Sequence, residues 1–401
     1  MMSLDRMQEI ALACSMAMIA GCGISLPDGV TCNHTLSGGT SGEDLSDALA
    51  DAESGDCVSI ASHKYEGAFL VPAGVKLVAE KDTVPDIVGT DESQPAIRVL
   101  GGTGSGLVGV RVTKAAAIGI AVQDAPVALT NVSVSGAGVL GVAVVCSQPD
   151  CTTSTESVTV EGSSISGNNI GLWVQGARVA MKAGAVSNNY TTQVVGGQGI
   201  IAARGAHLSL DGTSVEGNAW GILLDGTGGS TADCNNVKVT NNAERGIWSQ
   251  HLRGTLDNPA LTVRGEDTVV DGNGAAGIGA ADSAGIIIVD GRVANTVAIP
   301  WMTDLGVEPV GDGIGLFGQS GAVRIQRVTL ENNQRCQALV DDGAAGIIIV
   351  DGYVAASADQ YRVVVQNTES GNVSVTPEVV STPSAPLGII AQVVEVPDID
   401  P

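Results

Sequence analysis

A solenoid of short parallel strands, a parallel β-helix of roughly ten to twelve rungs, is the all-β fold that three features of the sequence predict. The first is composition. Gly accounts for 54 of 401 residues and aromatics for 2%, so Val, Ile, Leu and Ala must fill any interior and tight turns must be frequent. The second is a repeat, and the third is the asparagines that punctuate it.

The repeat is a short alternating strand, a second short strand, an Asn or Gly bend, and then Gly followed by an aliphatic strand. Its last part reads GIAV at Gly119, GVAV at Gly141, GLWV at Gly171, GIIA at Gly199, GILL at Gly221 and GIWS at Gly246, at spacings of 22, 30, 28, 22 and 25 residues. Further on, AGIIIVDGRVA from Ala284 and AGIIIVDGYVA from Ala345 nearly coincide, 61 residues apart. That distance is two rungs plus an insertion around Pro300 and Trp301. Units of this length with three- to five-residue strands cannot bury an apolar face alone and must stack. Leucine-rich repeats share the period but need a leucine and asparagine consensus that is not present.

At the bends stand Asn168 and Asn169, Asn218, Asn241 and Asn242, Asn273, and Asn332 and Asn333. Asparagine tolerates the left-handed conformation of a sharp bend, and its amide can bond to the equivalent amide one rung away. An asparagine ladder is expected, with a structural role.

The solenoid begins with residues 42 to 53, GEDLSDALADAE, whose Leu45, Ala48, Leu49 and Ala52 share one helical face behind a capping box of Ser41 and Asp44. Gly55-Asp56 then opens the strand CVSIA, and Tyr65-Glu66-Gly67 precedes AFLVPAGVKLVAE. This run resembles the opening of right-handed parallel β-helix proteins of the pectate-lyase-like superfold, in which a helix covers the first rung. The cover shields unpaired backbone and apolar interior at the solenoid end. Boundaries are expected at 1–21 for a signal peptide, 22–40 for a tether, 41–376 for the β-helix and 377–401 for a tail that packs on the solenoid.

Alternation sorts the strand faces. In VTV, LSL, VKV and LTV it points Thr159, Ser209, Lys238 and Thr262 outward, which is polar as expected. In the Gly strands it points Ile120, Leu172, Ile222 and Ile247 inward and Ala121, Ala143, Trp173, Ile201, Leu223 and Trp248 outward. An apolar outward stripe carrying two of four tryptophans marks an interaction surface. Trp173, Leu223 and Trp248 are therefore candidate ligand-binding residues, unless the apolar segment from Ala385 onward covers them.

Residues 10 to 20, IALACSMAMIA, form an apolar run too short to span a bilayer but of signal-peptide length. It ends in Ile19-Ala20-Gly21-Cys22, which resembles the bacterial lipobox. That resemblance implies lipid attachment at Cys22, membrane association through the anchor alone, and a place in the cell envelope, at the outer membrane or cell surface. Six cysteines remain beyond it, an even number that reads as disulfides in an exported chain and allows 15 connectivities. Spacing favours Cys146 with Cys151 across the turn at Pro149. Cys32 with Cys57 would pin the leader to the first rung, leaving Cys234 with Cys336 by elimination. No cysteine pair has zinc-finger spacing, and neither a metal nor a cofactor is expected.

With 43 acidic against 19 basic residues the net charge is −24, which repels nucleic acid. The site patterns of the superfold's enzymes do not occur intact. There is no RxPxxR-like stretch as in pectate lyases and no Asp-Pro-His as in alginate epimerases. Of the polygalacturonase pattern only an aspartate pair occurs, at Asp341-Asp342. Asp225, Asp282, Asp290 and Asp351 stand at strand ends, as turn chemistry requires. The expectation is a non-enzymatic surface lipoprotein, a binding or structural module whose partner is polysaccharide or another surface protein. Its rival is a polysaccharide lyase or glycoside hydrolase with an unfamiliar residue set.

Overall fold

Each rung is a triangle of three strands. The rung Val158–Glu161, Ser164–Ser166 and Ile170–Gln175 is typical, and its strands lie on what are termed here the first, second and third faces. The computed structural model describes residues 32–147, 156–190, 197–341, 343–355, 360–368, 372–376, 380–389 and 396. Every rung-to-rung pairing is parallel, and the first and second faces form one 23-stranded sheet while the third belongs to a 14-stranded sheet. One strand of the latter, Ile299–Thr303, is an antiparallel hairpin arm, so thirteen strands stack on the third face among the described residues. That exceeds the expected ten to twelve because the end rungs lack the Gly-aliphatic signature. Likewise His34–Leu36 already pairs with Cys57–Ile60, and Val380–Ser381 still pairs with Tyr361–Val365, extending strand structure past both expected boundaries. No helix among the described residues is long and apolar enough to cross a membrane.

The interior is built by period-2 alternation. On the first face Val158, Val179, Leu208, Ala232 and Leu261 stack in register, as do Val160, Met181, Leu210, Cys234 and Val263, and all are buried. Each buried aliphatic side chain contributes about 1.5–3 kcal/mol, and the column continues through neighbouring rungs as one core. The helix Gly42–Asp51 closes the first end, with the Ser41–Asp44 capping box formed and Leu45 and Leu49 buried.

The ladder residues are Asn168, Asn189, Asn218, Asn242 and Asn273. Each Nδ2 donates to the next Oδ1 at 3.1, 2.9, 3.0 and 2.8 Å. Thr296 then takes the position and donates to Asn333 at 2.7 Å. Asn241 and Asn332, by contrast, adopt positive φ of 54° and 56°. The two uses of asparagine are thus divided between adjacent residues, one bending the chain and the next bridging rungs. Asn169 does neither, and its Oδ1 is buried without a partner. The inward glycines of the repeat make room for this ladder, since a Cβ on Gly141, Gly171, Gly199 or Gly246 would lie 2.6–2.9 Å from a ladder Nδ2.

Ala284–Ala294 and Ala345–Val350 lie two rungs apart with Gly321–Glu331 between them. The insertion is the hairpin of Ile299–Thr303 against Gly306–Phe317. Cys32 is bonded to Cys57. Cys146 is also disulfide-bonded, while Cys151 and the lipobox cysteine Cys22 lie outside the described residues. The pairing of Cys234 with Cys336 is corrected: both thiols are free. Cys234 faces the solenoid interior and Cys336 a separate apolar cluster, so the sheet wall separates them.

Candidate functional site: a polar groove and a second core

The expected outward register of the third face is correct, but its exposure is not. Trp173, Ile201, Leu223 and Trp248 occupy one column, three rungs from end to end. They belong to an apolar cluster separate from the solenoid interior. Trp173 and Trp248 are 0% exposed and Leu223 1%. As an open ligand platform Trp173, Leu223 and Trp248 are therefore corrected: they form a second core outside the sheet wall. Ile299 and Trp301 of the hairpin and Leu387 and Ile389 of the C-terminal segment pack into it. An apolar wall this size has a large free energy of hydration to shed, and the chain supplies segments that shed it.

Within this core Arg245 pairs in register with Trp220. Its guanidinium carbon lies 3.8 Å from the ring centre of Trp248, 4.2 Å from that of Trp220 and 4.8 Å from that of Trp301. Trp248 in turn stacks on Phe317 at 6.2 Å. A sequence signal for Arg245 existed: the residue before the repeat glycine is Ile118, Leu140, Ile170, Gln198 and Trp220 in earlier rungs, and a charged residue first stands there at Arg245. Nearby, Asp312 is buried and accepts from Arg335 Nε at 2.7 Å, and Arg335 Nη1 donates to Gly388 O at 2.7 Å.

An accessible concavity lies elsewhere among the described residues. A groove of about 480 Å³ runs across the first face, lined among others by Arg178, Ala180, His207, Ser209, Thr231, Asp233 and Thr262. Two outward columns build it. Arg178, His207 and Thr231 are in register over three rungs, and Ala180, Ser209, Asp233 and Thr262 over four. Their alternate neighbours point into the core, so the polar set is held by buried aliphatics beneath it. Nδ1 of His207 and Oγ1 of Thr231 are hydrogen-bonded at 2.7 Å. Arg264 grips Asp233 with both prongs, Nε to Oδ1 at 3.0 Å and Nη2 to Oδ2 at 2.8 Å. That hydrogen bond, with the carboxylate charge, raises the Arg264 guanidinium above its ordinary range. Asn235 Nδ2 donates to Asp211 Oδ1 at 2.8 Å at the groove margin.

The outward direction of Ser209 and Thr262 is read from the sequence alone. The convergence of Arg178, His207 and Asp233 is not, because rung lengths differ and registration requires counting from each bend. Among the described residues no group of three His, Cys, Asp or Glu side chains is placed to hold a metal ion.

Residues 95–293 match the family model described as the right handed beta helix region. Among solved structures, the Dettilon tailspike protein is similar with a TM-score of 0.54 at 14% identity, over 84% of this chain and 66% of that one. The A-module of the Azotobacter vinelandii mannuronan C-5 epimerase AlgE6 gives 0.48 at 12% identity, over 90% of this chain and 98% of that one. The catalytic unit of an α-1,3-glucanase from Streptomyces thermodiastaticus gives 0.48 at 12%, over 92% and 72%. No curated protein matches the chain in sequence. Parallel three-strand rungs, the asparagine ladder and the matched family region together identify the chain as a right-handed parallel β-helix.

Proposed function

We propose that this protein is a non-catalytic glycan-binding β-helix of the bacterial cell envelope, anchored by lipid at Cys22, whose ligand lies along the first-face groove. The groove chemistry carries this reading. Guanidinium, imidazole and hydroxyl groups follow one another along the axis, Arg178, His207 and Thr231, at one rung, ~4.8 Å, per step. Such a row suits the hydroxyl-rich edge of an extended polysaccharide. Glycoside hydrolysis needs two carboxyl groups facing one bond. Asp233 is the sole carboxylate among the groove-lining residues named for this site, and Arg264 holds both of its oxygens. A carboxylate with both oxygens engaged in this way is held in one orientation.

The test is retention of the purified protein by immobilised acidic and neutral polysaccharides, with product release followed in the same samples. Binding without cleavage is expected, and Ser209→Tyr, which fills the groove floor, should abolish it. Release of new chain ends that depends on His207 would replace this reading with a catalytic one. For the anchor, Cys22→Ser should move the protein from the membrane fraction to the soluble one; an unchanged distribution would remove the lipid from the proposal.

A further inference from the structure

Arg245 is 0% exposed, yet Nε, Nη1 and Nη2 all lack a hydrogen-bond partner. The three indole rings around it stabilise the positive charge but take up none of the five N–H donors in hydrogen bonds to oxygen. Burial pushes the guanidinium down to about 9, against the pull of Glu244. The Glu244 carboxylate is engaged by Nε1 of Trp220. Nε1 of Trp248 and of Trp301 are buried and unpartnered as well. Gln198 stands in the rung before Trp220, whose own partner in the next rung is Arg245. It is 6% exposed and presents an unpartnered Oε1.

A cluster of buried donors around a guanidinium cation is complementary to one kind of group, a carboxylate that accepts two guanidinium N–H bonds at once. Indole faces beside it suit a sugar ring, and an amide oxygen suits a hydroxyl. We propose that Arg245, Trp248 and Trp301 form a closed carboxylate site on the third face, taking either a uronic acid unit or a small free carboxylate. Entry is by displacement of the hairpin bearing Trp301. Trp301 is half-buried, and its ring lies against the Arg245 guanidinium. The hairpin is held from outside by the C-terminal segment, through Gly388 N to Glu308 Oε2 at 3.1 Å and Ile389 N to Asp304 Oδ1 at 2.9 Å. The arm Ile299–Thr303 pairs with its own hairpin partner and lies off the stacked path of the sheet, so the cover can open while the solenoid stays folded. The site lies on a different face from the groove and does not depend on glycan binding there.

The full chain is titrated at constant ionic strength with acetate, galacturonate or galactose, following tryptophan emission and Tm. Galacturonate should change emission saturably and raise Tm, and galactose should do neither. Acetate acting as well as galacturonate assigns the site to free carboxylates; galacturonate acting alone assigns it to sugar acids. Arg245→Met should raise Tm without ligand, because an unpaired buried charge is replaced by an apolar side chain of similar length. The same variant should weaken the carboxylate response by at least about tenfold. Should Arg245→Met fail to fold, Arg245→Lys keeps the charge but not the fork and should weaken the response to a similar degree. Absence of a saturable carboxylate response in the wild type, or a response that survives these variants, overturns the proposal and leaves Arg245 a packing residue.

Discussion

A Cβ placed on Gly221 would lie 2.9 Å from Nδ2 of Asn242 and 2.4 Å from the backbone oxygen of Gly246. The repeat glycine and the bend asparagine are therefore one device: the missing side chain makes the space in which the amide reaches its neighbour. Gly221→Ala should cost about 1–3 kcal/mol, because the obstruction is backbone and cannot rotate away. Asn242→Ala should cost a similar amount, about 1–3 kcal/mol, by leaving the buried N–H and amide of Asn218 without their acceptor. Urea unfolding of both variants checks this; losses below a few tenths would mean that the ladder is incidental.

Arg335 and Asp312 form a buried ion pair beside the second core. Burial acts to lower the Arg335 guanidinium, but the charge and hydrogen bond of Asp312 outweigh it and hold it above the ordinary range. Removing one partner strands the other, so Arg335→Met should destabilise by about 3–5 kcal/mol. Arg335→Met combined with Asp312→Asn should recover much of that loss. Calorimetry of the single and double variants decides, and a double variant no better than the single would refute the coupling.

Cys234 is buried in the solenoid interior, and burial pushes its thiol up to about 12, with a smaller push from Asp233. The unfolded thiol titrates near the ordinary cysteine value of 9.0. Between these values the unfolded chain loses the proton and the folded chain keeps it. The contribution is thus fully present below pH 9 and is lost as pH rises toward 12. Relative to Cys234→Ala, the wild type should lose stability more steeply across that window. At pH 8 the thiol should resist alkylation until the chain unfolds, and rapid native-state labelling would contradict the burial.

The Cys32–Cys57 bridge closes a separation of 25 residues around the capping helix. A cross-link over a loop of that size contributes about 3 kcal/mol in the chain-entropy model. Cys57→Ser should lower stability accordingly and expose the backbone amides of the first rung to hydrogen exchange, while the central rungs remain protected because contacts are made mainly between neighbours.

Deleting residues 385–401 removes Leu387 and Ile389 from the second core and the carbonyl that accepts from Arg335. An acrylamide-quenchable tryptophan should appear, with a loss of about 2–3 kcal/mol for the apolar surface returned to water. A deletion variant whose tryptophans stay as shielded as in the full chain would show that the tail is not part of the cover.

Local chemistry was enough to determine the solenoid. Gly119 through Gly246 mark the third-face strands, Ser41 and Asp44 start the capping helix, and strand alternation fixes which side of each strand points into the solenoid, because a shift of one residue would invert every rung. Even the outward direction of Trp173 and Trp248 is legible, since it depends on period 2 alone. What covers them is not, because it depends on where segments distant in sequence come to rest: Trp301 lies 53 residues from Trp248 in the chain and packs into the same core. Asn189 and Thr296 escape the ladder reading for a related reason, as register across rungs of unequal length is set by stacking and not by spacing. The same holds for Arg178, His207 and Asp233 in the groove, and for Arg245 among its three indoles. Residues that meet across rungs or across the sheet wall are joined by packing between parts of the chain that carry no local mark of each other, and only the tertiary structure decides them.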